Sequence, residues 1–443
     1  MAKLEINRLG PIDYCMMDDD ARFMVLTGNQ ISGKSTIAKV IFFFRGIKDD
    51  IYDLMERRAL VLVDMIAEND SAGNHLKTEV RDSIRDKFLR VFGSSKCMDN
   101  SMYIEYEYAK GVKIKIDLTP DAMFNKPNYI KVSLSSEIDE FLRRNENTLH
   151  ASALGVPEKE QLTMKNMLYK LFDDDLETVY IPAGRSALTV LSDQLSFFYS
   201  TMNDCQKRAL DYCTQSYIER TLSLKGEFSE GLEAIGEDFG GPTAYRMKCL
   251  ALDWISKILK GRYSFNKGEE RIFIDDERYV KLNFASSGQQ ESVWILNLLY
   301  YYLVNKKKAL FIIQEPESHL FPESQKYITE LIALFANNGN SVVLTTNSPY
   351  VLGTLNNLLY ADTTGKIDEK EMDKIIPSEF WLDSDCFNSW FVSGGNISNV
   401  MDPDMHIIRN ECIDGISSVI NDDFDKMLDL QLEAELKSSK MHF

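Results

Sequence analysis

The sequence predicts an α/β protein in which a mainly parallel core sheet is accompanied by an antiparallel β lobe and a helical insertion. Two uncharged runs, Ala309 to Ile313 and Ser341 to Thr345, are separated by one helical segment, which is typical of parallel strands buried on both faces. A third run, Ser101 to Leu118, alternates apolar and polar residues around Gly111, as an antiparallel hairpin does. A glycine-rich loop also lies between an apolar strand and an apolar helix.

Composition narrows the range of functions. The 443 residues carry a formal net charge of −18, which disfavours a general nucleic-acid coat, although a local basic groove stays open. The seven cysteines form no Cys-x-x-Cys pair and no zinc spacing, as expected for reduced thiols. The first residues alternate like a strand rather than a leader, and no apolar run reaches the roughly 18 residues of a membrane span. We therefore expect a cytoplasmic protein without a membrane partner.

The first predicted domain is an N-terminal lobe over residues 1–135. Two strand-like runs, Leu4 to Met17 and Ala21 to Leu26, lead to the glycine-rich loop. Residues 50–95 have apolar side chains at helical spacing, which predicts a helix. The hairpin and a further strand from Tyr129 to Leu134 give this lobe an antiparallel sheet beside the strand that precedes the loop.

The second predicted domain, residues 136–270, is a helical insertion or arm. It contains one short strand, Thr178 to Ile181, and residues 186–262 are predicted as long helices with a break at Gly236 to Pro242. Its apolar positions keep no heptad over the three to four repeats that a coiled coil needs. Whether residues 186–262 project as an arm or pack on the lobe stays open.

The remaining chain is predicted as a C-terminal lobe, residues 271–360, and a C-terminal helical tail, residues 361–443. Helices from Ser286 to about Leu303 and from about Pro322 to Ala336 flank the two uncharged strands. The tail is mixed in pattern and ends in an amphipathic helix from Asn410 to Leu436.

The glycine-rich loop is the most specific motif in the sequence. Residues 28–36 read Gly-Asn-Gln-Ile-Ser-Gly-Lys-Ser-Thr and match G-x-x-x-x-G-K-[ST], in the strand–loop–helix context that this phosphate-binding loop needs. Lys34 is expected to pair with the β- and γ-phosphates of ATP, and the Ser35 hydroxyl to coordinate Mg²⁺. The candidate nucleotide-binding residues of the loop are Gly28, Asn29, Gln30, Ser32, Gly33, Lys34, Ser35 and Thr36.

A second group of small residues opens a helix. Ser286, Ser287, Gly288 and Gln289 follow a strand-like run, and a helix N-terminus presents N–H groups and positive partial charge to a phosphate. The alternative is a plain capped helix, since serine is a common N-cap residue. The string alone favours this alternative.

Polar residues also end the two uncharged strands, at the sheet edge where ligands bind in open α/β proteins. Glu315 is placed to act as general base on an attacking water, the alternative being a solvated strand end. Asn347 is placed to donate a hydrogen bond to a γ-phosphate or a water, the alternative being a capped turn before Pro349.

Taken in chain order, these motifs resemble those of the ABC-type ATPases of the SMC, RecF and OLD-nuclease group. Residues 285–289 resemble the signature L-S-G-G-Q, residues 314–322 resemble E-E-P-E-x-x-L-H-P, and residues 345–349 resemble the switch sequence T-T-H-S-P. The resemblance implies that the signature of one copy closes over ATP held by the loop of a second. Tyr180 to Ser186 resembles a further recurring element, which implies a place for Arg185 near phosphate or the dimer interface.

Two residues depart from the family pattern. Gln314 stands where an acid holds Mg²⁺, so we expect Ser35 and Gln314 to form a metal site of reduced affinity. Asn347 stands where a histidine is expected and cannot carry a proton at neutral pH. With Lys34, Glu315 and Asn347 as the catalytic set, we expect slow hydrolysis and long nucleotide occupancy.

A stand-alone ATPase of this size resembles the ATPase subunits of two-gene anti-phage systems. The resemblance is strongest to the PARIS ATPase subunit and next to that of Septu. This resemblance implies a homo-oligomer, a phage-encoded trigger and a separate effector, a Toprim nuclease. About eighty residues follow Tyr360, and Asp383-Ser-Asp385 is expected in a loop, so we expect the nuclease on another chain. The alternatives are a RecF- or SMC-like ATPase that acts on DNA and a nucleotide-binding scaffold without hydrolysis.

Overall fold

A computed structural model describes residues 2–67, 76–121, 126–152, 158–236, 241–266, 268–409 and 415–440. The strands are β1 (Lys3–Leu9), β2 (Ile12–Asp18), β3 (Phe23–Gly28), β4 (Tyr103–Ala109), β5 (Val112–Asp121), β6 (Lys126–Leu134), β7 (Glu177–Ile181), β8 (Arg262–Asn266), β9 (Glu269–Phe273), β10 (Tyr279–Lys281), β11 (Ala309–Gln314), β12 (Ser341–Thr345), β13 (Phe387–Ser393) and β14 (Asn396–Asn399). The helices are α1 (Lys34–Arg45), α2 (Ile47–Ala67), α3 (Leu76–Phe92), α4 (Ser136–Ser152), α5 (Glu158–Phe172), α6 (Ser186–Val190), α7 (Ser192–Thr201), α8 (Asp204–Arg208), α9 (Tyr212–Leu224), α10 (Pro242–Leu259), α11 (Ser287–Val304), α12 (Pro322–Asn337), α13 (Pro349–Gly365), α14 (Glu369–Ile375) and α15 (Gly415–Lys440).

One large sheet organises the molecule. Its eleven strands run in the order β6-β5-β4-β1-β2-β14-β13-β3-β12-β11-β7. Strands β13, β3, β12, β11 and β7 pair in parallel, whereas β6, β5, β4, β1 and β2 form an antiparallel lobe. The predicted α/β class, with a parallel core and an antiparallel lobe, is confirmed. A separate three-stranded antiparallel sheet holds β8, β9 and β10.

The sheet separates two apolar cores because successive side chains of a strand point to opposite faces. In β3, Phe23 and Val25 pack into one core, whereas Met24 and Leu26 pack into the other. Helices α10 to α13 contribute to the first core, and α1 to α3 with the inner face of the lobe contribute to the second. Each fully buried large apolar side chain contributes roughly 1.5–3 kcal/mol to stability.

Register brings three strand ends to one edge of the sheet. Thr345 of β12 pairs with Leu26 of β3 on one side and with Gln314 of β11 on the other. The residues that follow these strands, which include the phosphate loop and Glu315, therefore emerge side by side. This is the edge at which open α/β sheets bind ligands.

Two predictions for the helical parts were wrong. Residues 50–95 contain α2 and α3 and a short 3-10 turn rather than one helix. Before the predicted break, residues 186–236 contain the shorter helices α6 to α9, because Asn203 and Asp211 cap new helices through their side chains. After the break, α10 is a long helix of 18 residues that begins at Pro242, as predicted. These helices pack on the body, since α9 contacts β7 and α10 contacts α11 and α12.

The largest correction concerns residues 361–443, which are not a purely helical tail. Strand β13 pairs in parallel with β3, and β14 follows it into the sheet. These two strands lie between β3 and the antiparallel lobe, which the sequence had placed side by side. Asp383 and Asp385 lie at a short 3-10 turn before β13, as expected for a loop. Strand β7 likewise lies in the core sheet, and the division into four domains stays a prediction.

Candidate nucleotide site

The phosphate loop connects β3 to α1 and is held by close contacts on both sides. Gly28 and Gly33 have φ values of 135° and 108°, a region that favours glycine. A Cβ at Gly28 would overlap the carbonyl oxygen of Val392 in β13, and one at Gly33 would overlap the Ile12 side chain. Only glycine therefore fits at both positions, and β13 is one wall of the loop.

Lys34 lies inside the curl of this loop. Its Nζ donates hydrogen bonds to the carbonyl oxygens of Gly28 and Asn29, both at 2.7 Å, and the side chain is buried. Burial lowers the pKa of the Lys34 ammonium, while the charges of Glu315 and Glu317 raise it. An ammonium that faces two carboxylates across the cleft is placed to hold a phosphate close to them.

Two buried polar atoms beside Lys34 find no hydrogen-bond partner in the protein. They are the Ser32 hydroxyl and Nε2 of Gln314, whereas Oε1 of Gln314 accepts a hydrogen bond from the backbone N–H of Ala183 at 3.3 Å. Such orphaned groups are costly unless a ligand satisfies them. The loop backbone, Ser32 and Lys34 therefore fit the phosphates of ATP, and the oxygens of Ser35 and Gln314 are the donor type that Mg²⁺ accepts.

Glu315 follows β11 directly and has an unusual backbone conformation. Its φ is 44°, in the left-handed region that costs a non-glycine residue about 1–2 kcal/mol. Its backbone N–H donates to the carbonyl oxygen of Thr345 at 2.9 Å, and its Oε1 accepts a hydrogen bond from Nδ2 of Asn347 at 3.3 Å. The structure thus brings Glu315 and Asn347 together at the edge where Lys34 lies.

Glu317 fixes the segment that carries Asn347. Its Oε1 accepts hydrogen bonds from the Thr346 hydroxyl at 2.6 Å and from the Asn347 N–H at 3.0 Å. Its second oxygen is buried without a partner in the protein, and burial raises the pKa of this carboxyl. Glu317 therefore holds the segment of Thr346 and Asn347 with one carboxylate oxygen. Its second oxygen is free to interact with a ligand in the site.

Arg185 does not face phosphate or the exterior, so this expectation was wrong. Its guanidinium is fully buried and donates to the carbonyl oxygens of Gln314 at 2.6 Å and Glu315 at 2.9 Å. It also pairs with the buried Glu291 carboxylate, with Nη2 and Oε2 separated by 3.3 Å. Buried carbonyl oxygens and a carboxylate satisfy this charge within the chain.

The signature residues form the exposed N-terminus of α11. Ser286 and Gln289 cap the helix reciprocally, since the Ser286 hydroxyl accepts from the Gln289 N–H and Oε1 of Gln289 accepts from the Ser286 N–H at 3.0 Å. Ser286 and Ser287 are exposed. Gly288 packs so closely on the next motif that a Cβ there would lie 2.7 Å from the His319 carbonyl oxygen. Ser286 therefore caps the helix, as the alternative prediction states, and the side chains of Ser286 and Ser287 are also accessible.

The motifs fall into two groups within the described residues. The phosphate loop, Glu315 and Asn347 meet at one edge, whereas Gln289 donates to the Leu259 carbonyl oxygen and Gly288 packs on the turn at His319 and Leu320. Among the described residues, no hydrogen bond joins the signature to the phosphate loop of the same chain.

Sequence reasoning missed three contributors to the site: Glu317, Glu291 and Val392. Glu317 was read only as part of the strand-end motif, and the spacing of Thr346 and Asn347 gave no sign of its hydrogen bonds. A glutamate in the first turns of an otherwise apolar helix was a signal for Glu291, because a buried carboxylate needs a buried partner. Nothing local in the sequence pointed to Val392.

One family of known proteins matches most of this chain. A family model described as an AAA ATPase domain matches residues 1–352. No curated protein matches the chain. The structure is similar to an SMC head bound to the C-terminal winged-helix domain of ScpA, at 12% identity, 90% coverage of this chain, 96% of that chain and a TM-score of 0.41.

Two further solved structures are similar at the same 12% identity. For an SMC head domain from Thermotoga maritima, the TM-score is 0.36, with 90% of this chain and 97% of that chain covered. For an Smc head with an extended coiled coil bound to the C-terminal domain of ScpA, derived from Pyrococcus furiosus, the TM-score is 0.37, with 90% and 96% covered. The likeness is distant and supports no functional argument.

Proposed function

The chain belongs to the family of AAA ATPase domains, and from this we propose that it binds ATP with Mg²⁺ and hydrolyses it slowly, so that nucleotide occupancy acts as a signal. The observation that carries the proposal is the cluster at one sheet edge. There the buried ammonium of Lys34 lies in the field of Glu315 and Glu317, and Asn347 donates to Glu315. Of the two carboxylates, Glu315 directly follows β11 and accepts a hydrogen bond from Asn347, so we propose that Glu315 takes the proton from an attacking water.

Slow turnover follows from the residues that surround Glu315. Gln314 brings no negative charge to a metal, so Mg²⁺ would rest on neutral oxygens and on the phosphates of ATP. Asn347 orients Glu315 but cannot exchange a proton at neutral pH. Binding is therefore favoured over fast chemistry.

We propose that two copies complete each site. Ser286 and Ser287 are exposed at a helix N-terminus. Within the residues described, they form no hydrogen bond with the phosphate loop of their own chain. Phe284 and Phe321, which flank the signature and the turn it packs on, are 78% and 75% exposed. Exposed aromatic side chains beside an unused anion-binding helix end support burial against a second copy.

We further propose that this ATPase controls a separate nuclease effector in anti-phage defence, as its resemblance to the PARIS and Septu ATPase subunits implies. Across the described part of the chain, no group of three or more His, Cys, Asp or Glu side chains is arranged to hold a metal ion. No helix among the described residues has the length and apolarity to cross a membrane. The net charge of −18 disfavours a general nucleic-acid coat.

Hydrolysis is tested by phosphate release from ATP with Mg²⁺, for the parent protein, Lys34→Ala and Glu315→Gln. We expect a slow parent rate that falls on the order of 100-fold in Glu315→Gln, with ATP binding kept, and loss of binding in Lys34→Ala. A parent rate equal to that of both variants would leave only the scaffold alternative.

Effector control is tested by co-expression with the product of the neighbouring gene. We expect a complex that survives purification with the parent protein and with Glu315→Gln, which keeps ATP bound. Absence of a complex in both, together with ATP-dependent retention on DNA, would favour the DNA-acting alternative.

A further inference from the structure

The buried guanidinium of Arg185 joins two motifs that act on different nucleotides. Two of its nitrogens bind consecutive carbonyl oxygens at the end of β11, those of Gln314 and Glu315. Its Nε donates to the carbonyl oxygen of Glu291 at 2.8 Å, and Glu291 lies two residues after the signature in α11. The planar guanidinium group, with its fixed hydrogen-bond geometry, thus connects the end of β11 to the signature helix α11.

The Glu291 carboxylate closes the same connection from the other side. Its Oε2 accepts from the Arg185 backbone N–H at 3.0 Å, and its Oε1 accepts from the Ser186 N–H at 2.9 Å. Both side chains are almost fully buried, with 0% and 2% exposed for Arg185 and Glu291. Separation would leave a buried charge unpaired, so the two residues move as one unit when α11 moves.

The pair of Arg185 and Glu291 fixes the backbone conformation of Glu315. The left-handed conformation at Glu315 persists only where neighbouring groups hold it. The Thr345 carbonyl holds its N–H and the Arg185 guanidinium holds its C=O, so the peptide groups on both sides are fixed. The direction of the Glu315 side chain follows from these two contacts.

We propose that Arg185 is a positioning residue that transmits the docking of the signature helix to Glu315 of the same chain. Hydrolysis at one nucleotide then depends on whether that chain's own signature is engaged with the other nucleotide. The inference rests on the proposed function, since it requires paired copies and hydrolysis.

The first test separates positioning from folding. Arg185→Lys keeps the charge but loses the fork, and we expect kcat to fall about tenfold or more while the Kd for ATP stays within about threefold. The matched control is Lys48→Met, because Lys48 is also fully buried and binds two carbonyl oxygens, of Arg45 and Leu176, and the Asp174 carboxylate. We expect this control to lower the melting temperature at least as much as Arg185→Lys and to leave kcat within about twofold. Equal losses of kcat in both variants overturn the proposal.

The second test uses pairs of differently tagged copies at saturating ATP. One copy carries Glu315→Gln, so that only the other copy hydrolyses. Ser286→Ala is then placed in the hydrolysing copy, whose signature faces the nucleotide of the inactive copy. We expect its hydrolysis to fall about tenfold, and Arg185→Lys in the same copy to cause no further loss.

The outcomes of the paired test are distinct. Hydrolysis that is unaffected by Ser286→Ala in the hydrolysing copy, or losses that multiply, overturn the positioning role while the proposed function stands. A parent protein that forms no pairs, or whose rate equals that of Lys34→Ala, overturns both the proposed function and the positioning role.

Discussion

Gln314 shows how one residue at the strand end sets the metal chemistry of the site. Its amide oxygen is bonded to Ala183, and its amide nitrogen is buried without a partner in the protein. An amide at this position offers a metal at most one neutral oxygen, whereas a carboxylate would bring a charge that attracts Mg²⁺. In the proposed metal site, the expected weak affinity for Mg²⁺ therefore depends on a single functional group.

We predict that Gln314→Glu lowers the Mg²⁺ concentration that half-saturates ATP hydrolysis by about threefold or more, because the added carboxylate strengthens coordination of a hard cation. The measurement is the rate of phosphate release across a Mg²⁺ titration at fixed ATP. Gln206→Glu, at an exposed position, adds the same charge elsewhere and is expected to change nothing. An unchanged or higher Mg²⁺ requirement in Gln314→Glu would show that this residue does not face the metal.

Single residues divided clearly into those that the sequence predicted and those that it did not. Lys34 at the start of α1 and Glu315 and Asn347 after β11 and β12 follow from motifs with a fixed spacing, and the structure brings these residues to one edge of the sheet. Arg185 was misplaced, because its role depends on the carboxylate of Glu291, about one hundred positions later. Local spacing carries no information on which distant group neutralises a buried charge.

At the scale of elements, the junction of β3 and β13 determines the shape of the phosphate loop. Gly28 pairs with Val392, and the carbonyl of Val392 occupies the space of a Cβ. Backbone on a central strand cannot shift without breaking the ladder on its other side. The first glycine of the loop is thus required by β13 as well as by its φ value.

We predict that Gly28→Ala lowers the free energy of unfolding by about 3 kcal/mol or more, because overlap with backbone adds to the conformational cost. Gly93→Ala is the matched control, since Gly93 has a φ of 85° but no heavy atom within 4 Å of a Cβ. This variant is expected to lose about 1 kcal/mol, from strain alone. Urea unfolding measures both values, and equal losses would contradict the close contact with Val392.

A second prediction at this scale concerns the two ends of the C-terminal region. A chain that stops after Asp385 lacks β13 and is expected to show no cooperative melting, because β3 loses one neighbour and the two cores lose Phe387 and Val392. A chain that stops after Arg409 loses α15 as its one described element, and because the described side chains over 419–432 are exposed, it should melt within about 2 °C of the parent. Thermal unfolding followed by circular dichroism measures this difference.

The elements that sequence reasoning predicted well were those with a clear period. Strands β11 and β12 are continuous apolar runs, and β4 and β5 alternate, so all four were predicted. Strand β13 was missed because Phe-Asn-Ser-Trp-Phe-Val-Ser has neither pattern, and its buried positions include Ser389. Its pairing with β3 compensates for the weak local signal.

At the scale of the whole molecule, packing on the two faces of the sheet controls which thiols can react. Cys15 in β2 and Cys213 in α9 are buried, and burial raises the pKa of each thiol to about 12. Roughly one thiol in ten thousand is then ionised at pH 8, and the thiolate is the reactive form. Among the described residues, three thiols on separate elements are exposed: Cys97, Cys205 and Cys249.

We predict that iodoacetamide at pH 8 modifies Cys97, Cys205 and Cys249 in the folded protein, whereas Cys15 and Cys213 react only after denaturation. Mass spectrometry of peptides reports each site separately. The same reaction in guanidinium chloride is the control, because the five thiols named here are then equally exposed. Modification of Cys15 under native conditions would contradict the packing of β2 in the sheet.

The place of β13 also sets the order in which the protein can be made. Strand β3 leaves the ribosome early, but both of its neighbours in the sheet, β12 and β13, lie in the last third of the chain. At 5–20 residues per second, roughly 20–70 seconds separate the synthesis of the phosphate loop from that of Val392. During that interval the edges of β3 are unpaired and open to association with other chains. A nascent chain therefore completes the wall of its phosphate loop only after Val392 has been made.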